Sequence, residues 1–204
     1  MVRDAATTRA RILEAAVCEF SAFGLAGARV ERIAESSGAN PRSIYQYFES
    51  KDGLFSATVD HVIRGMAERV PITEEDLPGF AGRVFDDFLA HPETLRVAMW
   101  RQLERPGIGP DFGDLYAEKL AAVSRYSNAG IAPTDLIVLL YGLAEAWLLS
   151  PRDLLAADGS DPQSEERLAK HRAEIVTAAR RLCEPAAETV APQPATRAGR
   201  EHRS

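Results

Sequence analysis

The sequence is poor in what catalysis, metal binding or a membrane would require. Its two cysteines, Cys18 and Cys183, show no metal-ligand spacing, and Cys18 has Ala and Phe neighbours on a helical pattern, so both are expected to be buried free thiols. The four histidines, His61, His91, His171 and His202, lie far apart. There is no glycine-rich phosphate loop and no nucleophile elbow, and the carboxylates are scattered as on solvated helix faces. These absences give catalysis no support and call for no metal or cofactor. No apolar run approaches the roughly 20 residues of a membrane span, and Met1-Val2-Arg3-Asp4 does not begin a signal peptide, so a soluble, cytoplasmic protein is expected. No strand alternation and no internal repeat are visible. Positive charge is also short: the net charge is -6. It is unevenly spread, with seven Lys/Arg against seven Asp/Glu in residues 1–52 and 14 against 21 in residues 53–184. A neutral front carrying Arg29, Arg42 and Lys51 precedes an acidic body.

What is present is helical periodicity in a chain 46% hydrophobic, enough for one large or two small helical domains. The fold class is all-α, with about nine helices. Thr7 or Thr8 is expected to cap a first helix after a frayed start. Ile12, Leu13, Ala16, Val17, Phe20 and Phe23 form its apolar stripe, and Gly24 ends it. Val30, Ile33 and Ala34 lie on one face of a short second helix stopped by Gly38. Asn40 then reads as an N-cap and Pro41 as a first-turn proline for a third helix to Phe48. Ile44 and Phe48, four apart, can pack inward, leaving Arg42, Ser43, Tyr45, Gln46 and Tyr47 pointing elsewhere. This is the layout of a helix-turn-helix. Ser50 caps the next helix, whose first residue, Lys51, brings a cation to a helix N-terminus.

Three stretches carry a family resemblance: RARILEAAVCEFSAFG, VERIAESSGA and SIYQYFESKDGLF. Together, over Thr8 to Phe55, they resemble the DNA-binding domain of the TetR/AcrR transcriptional regulators. One departure stands out, because the family usually places Thr or Ser where Ala28 and Arg29 stand, to cap the helix and touch a phosphate. Arg29 can supply the phosphate contact by charge instead. The resemblance makes residues 1–52 a helix-turn-helix DNA-binding domain and 53–184 a helical effector-binding and dimerisation domain, with 53–70 as the connecting helix.

On this reading the DNA-contacting residues are Arg29, Asn40, Arg42, Ser43, Tyr45, Gln46, Tyr47 and Lys51. Arg42 suits guanine bidentately and Gln46 suits adenine, while Ser43 and Tyr47 suit phosphate or a thymine methyl. Tyr45 either takes part with its ring or packs the ring inward and offers only its hydroxyl. Lys51 suits a phosphate.

Along the back half, Phe80, Val84, Phe88 and Leu89 mark a fifth helix, and Leu95, Met99 and Leu103 the inward row of a sixth. A seventh is expected from Phe112 to Tyr126. The eighth, from Pro133, is apolar nearly all round, so it is buried or pressed against a partner. After a polar loop from Ser150 to Pro162, Leu168, His171, Ile175, Ala178 and Leu182 form the seam of a ninth. Residues 185–204, rich in Pro, Ala and Arg, are expected to be a disordered tail. Phe88, Trp100, Glu104, Tyr116, Tyr126 and Trp147 are the candidates for lining a ligand cavity, although aromatics at helical spacing are more often plain core.

The function expected is a homodimeric regulator, paired through its last two helices. It would bind double-stranded DNA at a palindromic operator, as a repressor released by a small-molecule effector. The rivals are an activator lacking an effector, and a helical small-molecule or partner-binding protein without sequence-specific DNA binding.

Overall fold

The computed structural model describes residues 2–73, 75–107, 109–124 and 130–184, with side chains from residue 6 onward. The expected tail at 185–204 and the candidate Tyr126 lie outside the described residues.

Those residues form ten helices and no strand. In order they are α1 (Val2–Gly27), α2 (Val30–Ser37), α3 (Pro41–Phe48), α4 (Lys51–Arg69), α5 (Leu77–Ala90), α6 (Pro92–Glu104), α7 (Gly113–Ser124), α8 (Pro133–Leu149), α9 (Arg152–Leu155) and α10 (Glu165–Cys183). Two apolar cores meet along α4. The first gathers Ile12, Phe20, Ile33, Ile44 and Phe55 around α1 to α4, and takes in Val97 and Phe112 from the back half. The second begins at Met66 and includes Phe80, Phe85, Leu140 and Ile175. Each fully buried Phe, Ile or Leu contributes roughly 1.5–3 kcal/mol, which makes these clusters the main favourable term.

The expected pattern needs correction in several places. α1 runs from Val2, so Thr7 and Thr8 do not stand at its N-cap and residues 2–7 are helical. Gly24 does break it, with φ 65° and ψ -175°, but one further turn follows to Gly27. Phe23 is 49% exposed, with the Arg32 guanidinium 4.4 Å over its ring. Cys18 is exposed rather than buried, because two residues on from Ala16 it is turned roughly 200° round the helix. On α6 the row Leu95, Met99, Leu103 drifts about 40° per four-residue step, so Leu103 emerges 68% exposed. The face that meets α1 carries Val97, Trp100 and Glu104 instead. Leu89 likewise lies outside the α5 core. The tenth helix is α9, a single turn inside the expected polar loop. α8 buries only Leu136, Leu140, Ala144 and Trp147, and leaves Val138, Leu139 and Leu149 exposed.

The caps at the helix-turn-helix are as read: Asn40 Oδ1 accepts the Arg42 N–H at 2.9 Å, and Ser50 Oγ accepts the Gly53 N–H at 2.9 Å. Arg29, at the N-cap of α2, makes no side-chain cap. The missing cap is replaced from α1, where the buried carboxylate of Glu19 accepts the Arg29 N–H at 2.8 Å and pairs with the Arg32 guanidinium. Burial by itself raises the pKa of Glu19. The Arg32 hydrogen bond, the Arg29 N–H and the charges of both arginines outweigh that and hold it below the ordinary carboxylate value.

Glu19→Ala is therefore expected to lower the unfolding free energy by about 2 kcal/mol, the loss of a helix cap together with a buried charge-assisted hydrogen bond. Urea denaturation followed by circular dichroism measures it. Because the folded-state pKa is depressed, this stability is present above the unfolded-state pKa and is lost as pH falls through the folded one. The gap between wild type and variant should close on acidification, and a gap that persists at low pH would contradict this assignment.

Candidate nucleic-acid interface and ligand cavity

Ile44 and Phe48 are buried and fix α3 against the first core, and this sets what the helix presents outward. Arg42, Gln46, Tyr45 and Tyr47 are exposed, and Ser43 is half-buried. Tyr45 is 46% exposed, so its ring is not packed inward. Among the described residues neither Arg42 nor Arg29 has a carboxylate within ion-pair distance, which leaves both charges available to an anion. Asn40 is exposed, but its side-chain oxygen is occupied in capping α3. Lys51 stands at the first position of α4, half-buried, with Nζ donating to the Ala26 carbonyl at 3.3 Å. Next to it Asp52 is paired with Arg105 at 2.6 Å, which offsets a negative charge beside the cationic surface.

The turn between α3 and α4 is tight. Glu49 has φ 64°, and the Ser50 N–H reaches back to the Phe48 carbonyl at 2.6 Å, a γ-turn. A Cβ at Gly53 would lie 2.1 Å from the same Phe48 carbonyl oxygen. Only glycine permits this approach, so Gly53 sets how α3 sits on α4.

In the back half, α4 to α8 surround a cavity of about 670 Å³. Its walls are mainly apolar, with Ile63 and Met66 from α4, Leu95 and Ala98 from α6, and Ile137 from α8. Tyr116 and Val138 line it and are exposed, so it opens between α7 and α8. The polar groups on it include Lys119, Tyr141 and Glu145. Lys119 is only 6% exposed, and its Nζ donates to Tyr141 Oη at 2.6 Å and lies 5.4 Å over the Phe80 ring. Burial pushes the Lys119 pKa down and those of Tyr141 and Glu145 up.

Of the candidate cavity residues, Phe88 and Tyr116 stand on this wall. Trp100, Glu104 and Trp147 are placed elsewhere. Trp100 Nε1 donates to the Ser21 carbonyl at 3.3 Å, and Glu104 Oε2 accepts the N–H groups of Leu25 and Ala26 at 2.7 and 3.0 Å, so both join α6 to α1. Trp147 packs between His171, with ring centroids 4.3 Å apart, and the Arg167 guanidinium, 4.2 Å from its ring. Lys119 and Tyr141 were not among the candidates, although a signal existed. A lysine in the four-spaced row Leu115, Lys119, Val123 interrupts an otherwise apolar helix face.

Residues 12–58 match the family described as bacterial regulatory proteins, tetR family, and residues 76–181 match the tetracyclin repressor-like C-terminal domain. The chain belongs to the TetR family of DNA-binding transcriptional regulators. It is 36% identical over 160 residues to the HTH-type transcriptional repressor SCO4008 of Streptomyces coelicolor, covering 74% of this chain and 83% of that protein. It is also 36% identical over 148 residues to the HTH-type transcriptional regulator RutR of Escherichia coli, covering 65% of this chain and 68% of that one. The crystal structure of the transcriptional regulator SCO4942 from Streptomyces coelicolor superposes with a TM-score of 0.72 at 31% identity, covering 85% of this chain and 96% of that one.

Gly53→Ala tests the seating of α3. The clash with the Phe48 backbone should destabilise the protein by about 1–3 kcal/mol and weaken DNA binding with every contact side chain still present. An unchanged melting temperature and unchanged affinity would show that α3 does not depend on this approach.

Proposed function

We propose that the chain is a homodimeric repressor that holds a palindromic operator and is released from it by a small molecule entering the cavity between α4 and α8. The observation that carries the DNA half of this reading is the outward face of α3, where Arg42, with no carboxylate at ion-pair distance among the described residues, stands with Gln46, Tyr45 and Tyr47 on a helix fixed from behind by Ile44 and Phe48. Arg42 and Gln46 are the base readers, and Ser43, Tyr45 and Tyr47 serve phosphates or a thymine methyl. Arg29 and Lys51 supply backbone contacts that position the domain. The DNA-binding domain is 1–52 and the remainder to 184 the effector and dimerisation domain. The similarity to a named repressor along most of its length favours repression.

Two copies pair through α8 and α10, with the exposed stripe Leu139, Ala146 and Leu149 of α8 covered by the partner. Their recognition helices then meet half-sites roughly 34–36 Å apart or a multiple of it. The effector favours the arrangement with the wrong separation. It acts through α4 and α6, both of which line the cavity and contact the first core.

Two measurements test this. Fluorescence anisotropy with DNA from upstream of the chain's own gene, or selected from random sequence, should give tight binding. Arg42→Ala should cost about 1–3 kcal/mol and relax the preference at one base pair, whereas Lys51→Ala should weaken all sequences alike and flatten the salt dependence. Absence of any sequence preference from the selection would favour a binding protein without operator recognition. In the second, Leu139→Arg with Leu149→Arg should convert a dimer to a monomer by light scattering and abolish tight operator binding; a variant that remains dimeric places the interface elsewhere.

A further inference from the structure

The cavity carries a charge that no carboxylate among the described residues pairs at ion-pair distance. It belongs to Lys119 on α7, which is 6% exposed. Lysine is almost never buried to this degree without such a partner. Its one hydrogen-bond acceptor there is Tyr141 Oη at 2.6 Å, and its other contacts are with the faces of the Phe80 and Tyr141 rings, 5.4 and 5.3 Å away, so two of its three N–H groups have no oxygen acceptor among the described residues. Tyr141 comes from α8 and lines the same cavity, so ammonium and hydroxyl stand side by side on a wall that is otherwise largely Leu, Ile, Met and aromatic.

Taking the effector-responsive reading as its premise, the geometry points to an amphipathic carboxylate as the ligand, its carboxylate on Lys119 Nζ and Tyr141 Oη and its hydrocarbon part among Met66, Phe88, Leu95 and Ile137. A planar anion with two oxygens can take an ammonium N–H and a phenolic O–H together, and both bonds are charge-assisted. The cavity, about 670 Å³, falls within the roughly 300–1,000 Å³ typical of small-molecule sites and suits an acid with a medium chain or an aryl-alkyl group.

Glu145 on the same wall suggests the opposite choice, an organic cation. It has no ion pair among the described residues. The difference in burial decides against it. Glu145 is only half-buried and keeps part of its hydration, whereas Lys119 is almost wholly removed from water. The penalty for an unpaired charge grows with burial, so a ligand gains more by compensating Lys119. Burial shifts both groups toward their neutral forms, lowering the Lys119 pKa and raising that of Glu145, so protonation does not separate the two choices.

The test compares head groups on constant tails. Decyl and phenylbutyl groups, each as the carboxylate, the alcohol and the trimethylammonium, are added below micellar concentration to the full-length protein on its selected operator. Release is followed by anisotropy, and binding to the protein alone by thermal shift. The carboxylates should act at concentrations at least tenfold lower than either counterpart. Lys119→Met should remove that preference while leaving operator affinity unchanged, and Tyr141→Phe, which deletes one hydroxyl and preserves the packing, should reduce it severalfold. Preference for the trimethylammonium compounds that disappears in Glu145→Gln would overturn the proposal and keep the effector-responsive reading. Equal response to the three head groups, or none, would overturn it too. Failure of the protein to bind any selected DNA would instead strike the regulator reading, and the thermal shifts would still report the head-group preference.

Discussion

The seating of α6 on α1 at Gly24 is the constraint on which the arrangement of the molecule depends. A Cβ there would lie 2.7 Å from Glu104 Oε1 and 2.8 Å from the Trp100 ring, and φ is 65°, so side-chain bulk and backbone conformation both demand glycine. The break in α1 frees the N–H groups of Leu25 and Ala26, and one oxygen of Glu104 accepts both. The interruption of the first helix and the docking of the sixth therefore satisfy each other. Nearby, Arg105 at the end of α6 holds Asp52 in the first turn of α4. The DNA-binding part is thus tied to the body through the continuous α4 and again through the end of α6.

The same device recurs at α2. Where a Ser or Thr would cap the helix locally, Glu19 does so from the preceding helix and recruits Arg32 as well. A local cap contributes about 1 kcal/mol and orients only its own helix. A cap delivered from another element also fixes the distance between the two elements. Both carboxylates convert orphan helix donors into tertiary contacts, so the three-helix head is held by groups that a sequence scan for capping residues passes over.

The legible parts of the sequence were those governed by local rules. Asn40, Pro41, Gly38 and Ser50 marked the ends of α2, α3 and α4 because capping is decided within three or four residues, and the four-residue spacing of Ile44 and Phe48 fixed which face of α3 looks outward. Facing was misread where a neighbouring helix chooses it. Leu95, Met99 and Leu103 form a plausible stripe, but α1 selects Val97, Trp100 and Glu104. For the same reason Trp100, Glu104 and Trp147 carry no mark in the sequence that distinguishes a cavity wall from an interhelical seam. Lys119 was legible in principle as a cation in an apolar row, but its hydroxyl partner lies 22 residues away on α8.

The geometry also bears on how a ligand in the cavity can be felt at α3. Ile63 and Met66 belong to α4 and Leu95 and Ala98 to α6, so the two elements that hold the DNA-binding part both form cavity wall. A ligand shifts such an equilibrium only by the difference in its affinity for the two arrangements, and moving a population from 1:99 to 99:1 takes about 5.5 kcal/mol. Coupling of about 1–3 kcal/mol is more usual between distant sites. Two helices leaving one cavity for one head give more contacts through which that difference can accumulate than a single connecting helix would. They also constrain the motion. Because Gly24 admits no slack between α1 and α6, the proposed effector response would carry α1 along with α6 and move the head as a body, with the packing of Ile44 and Phe48 beneath α3 preserved.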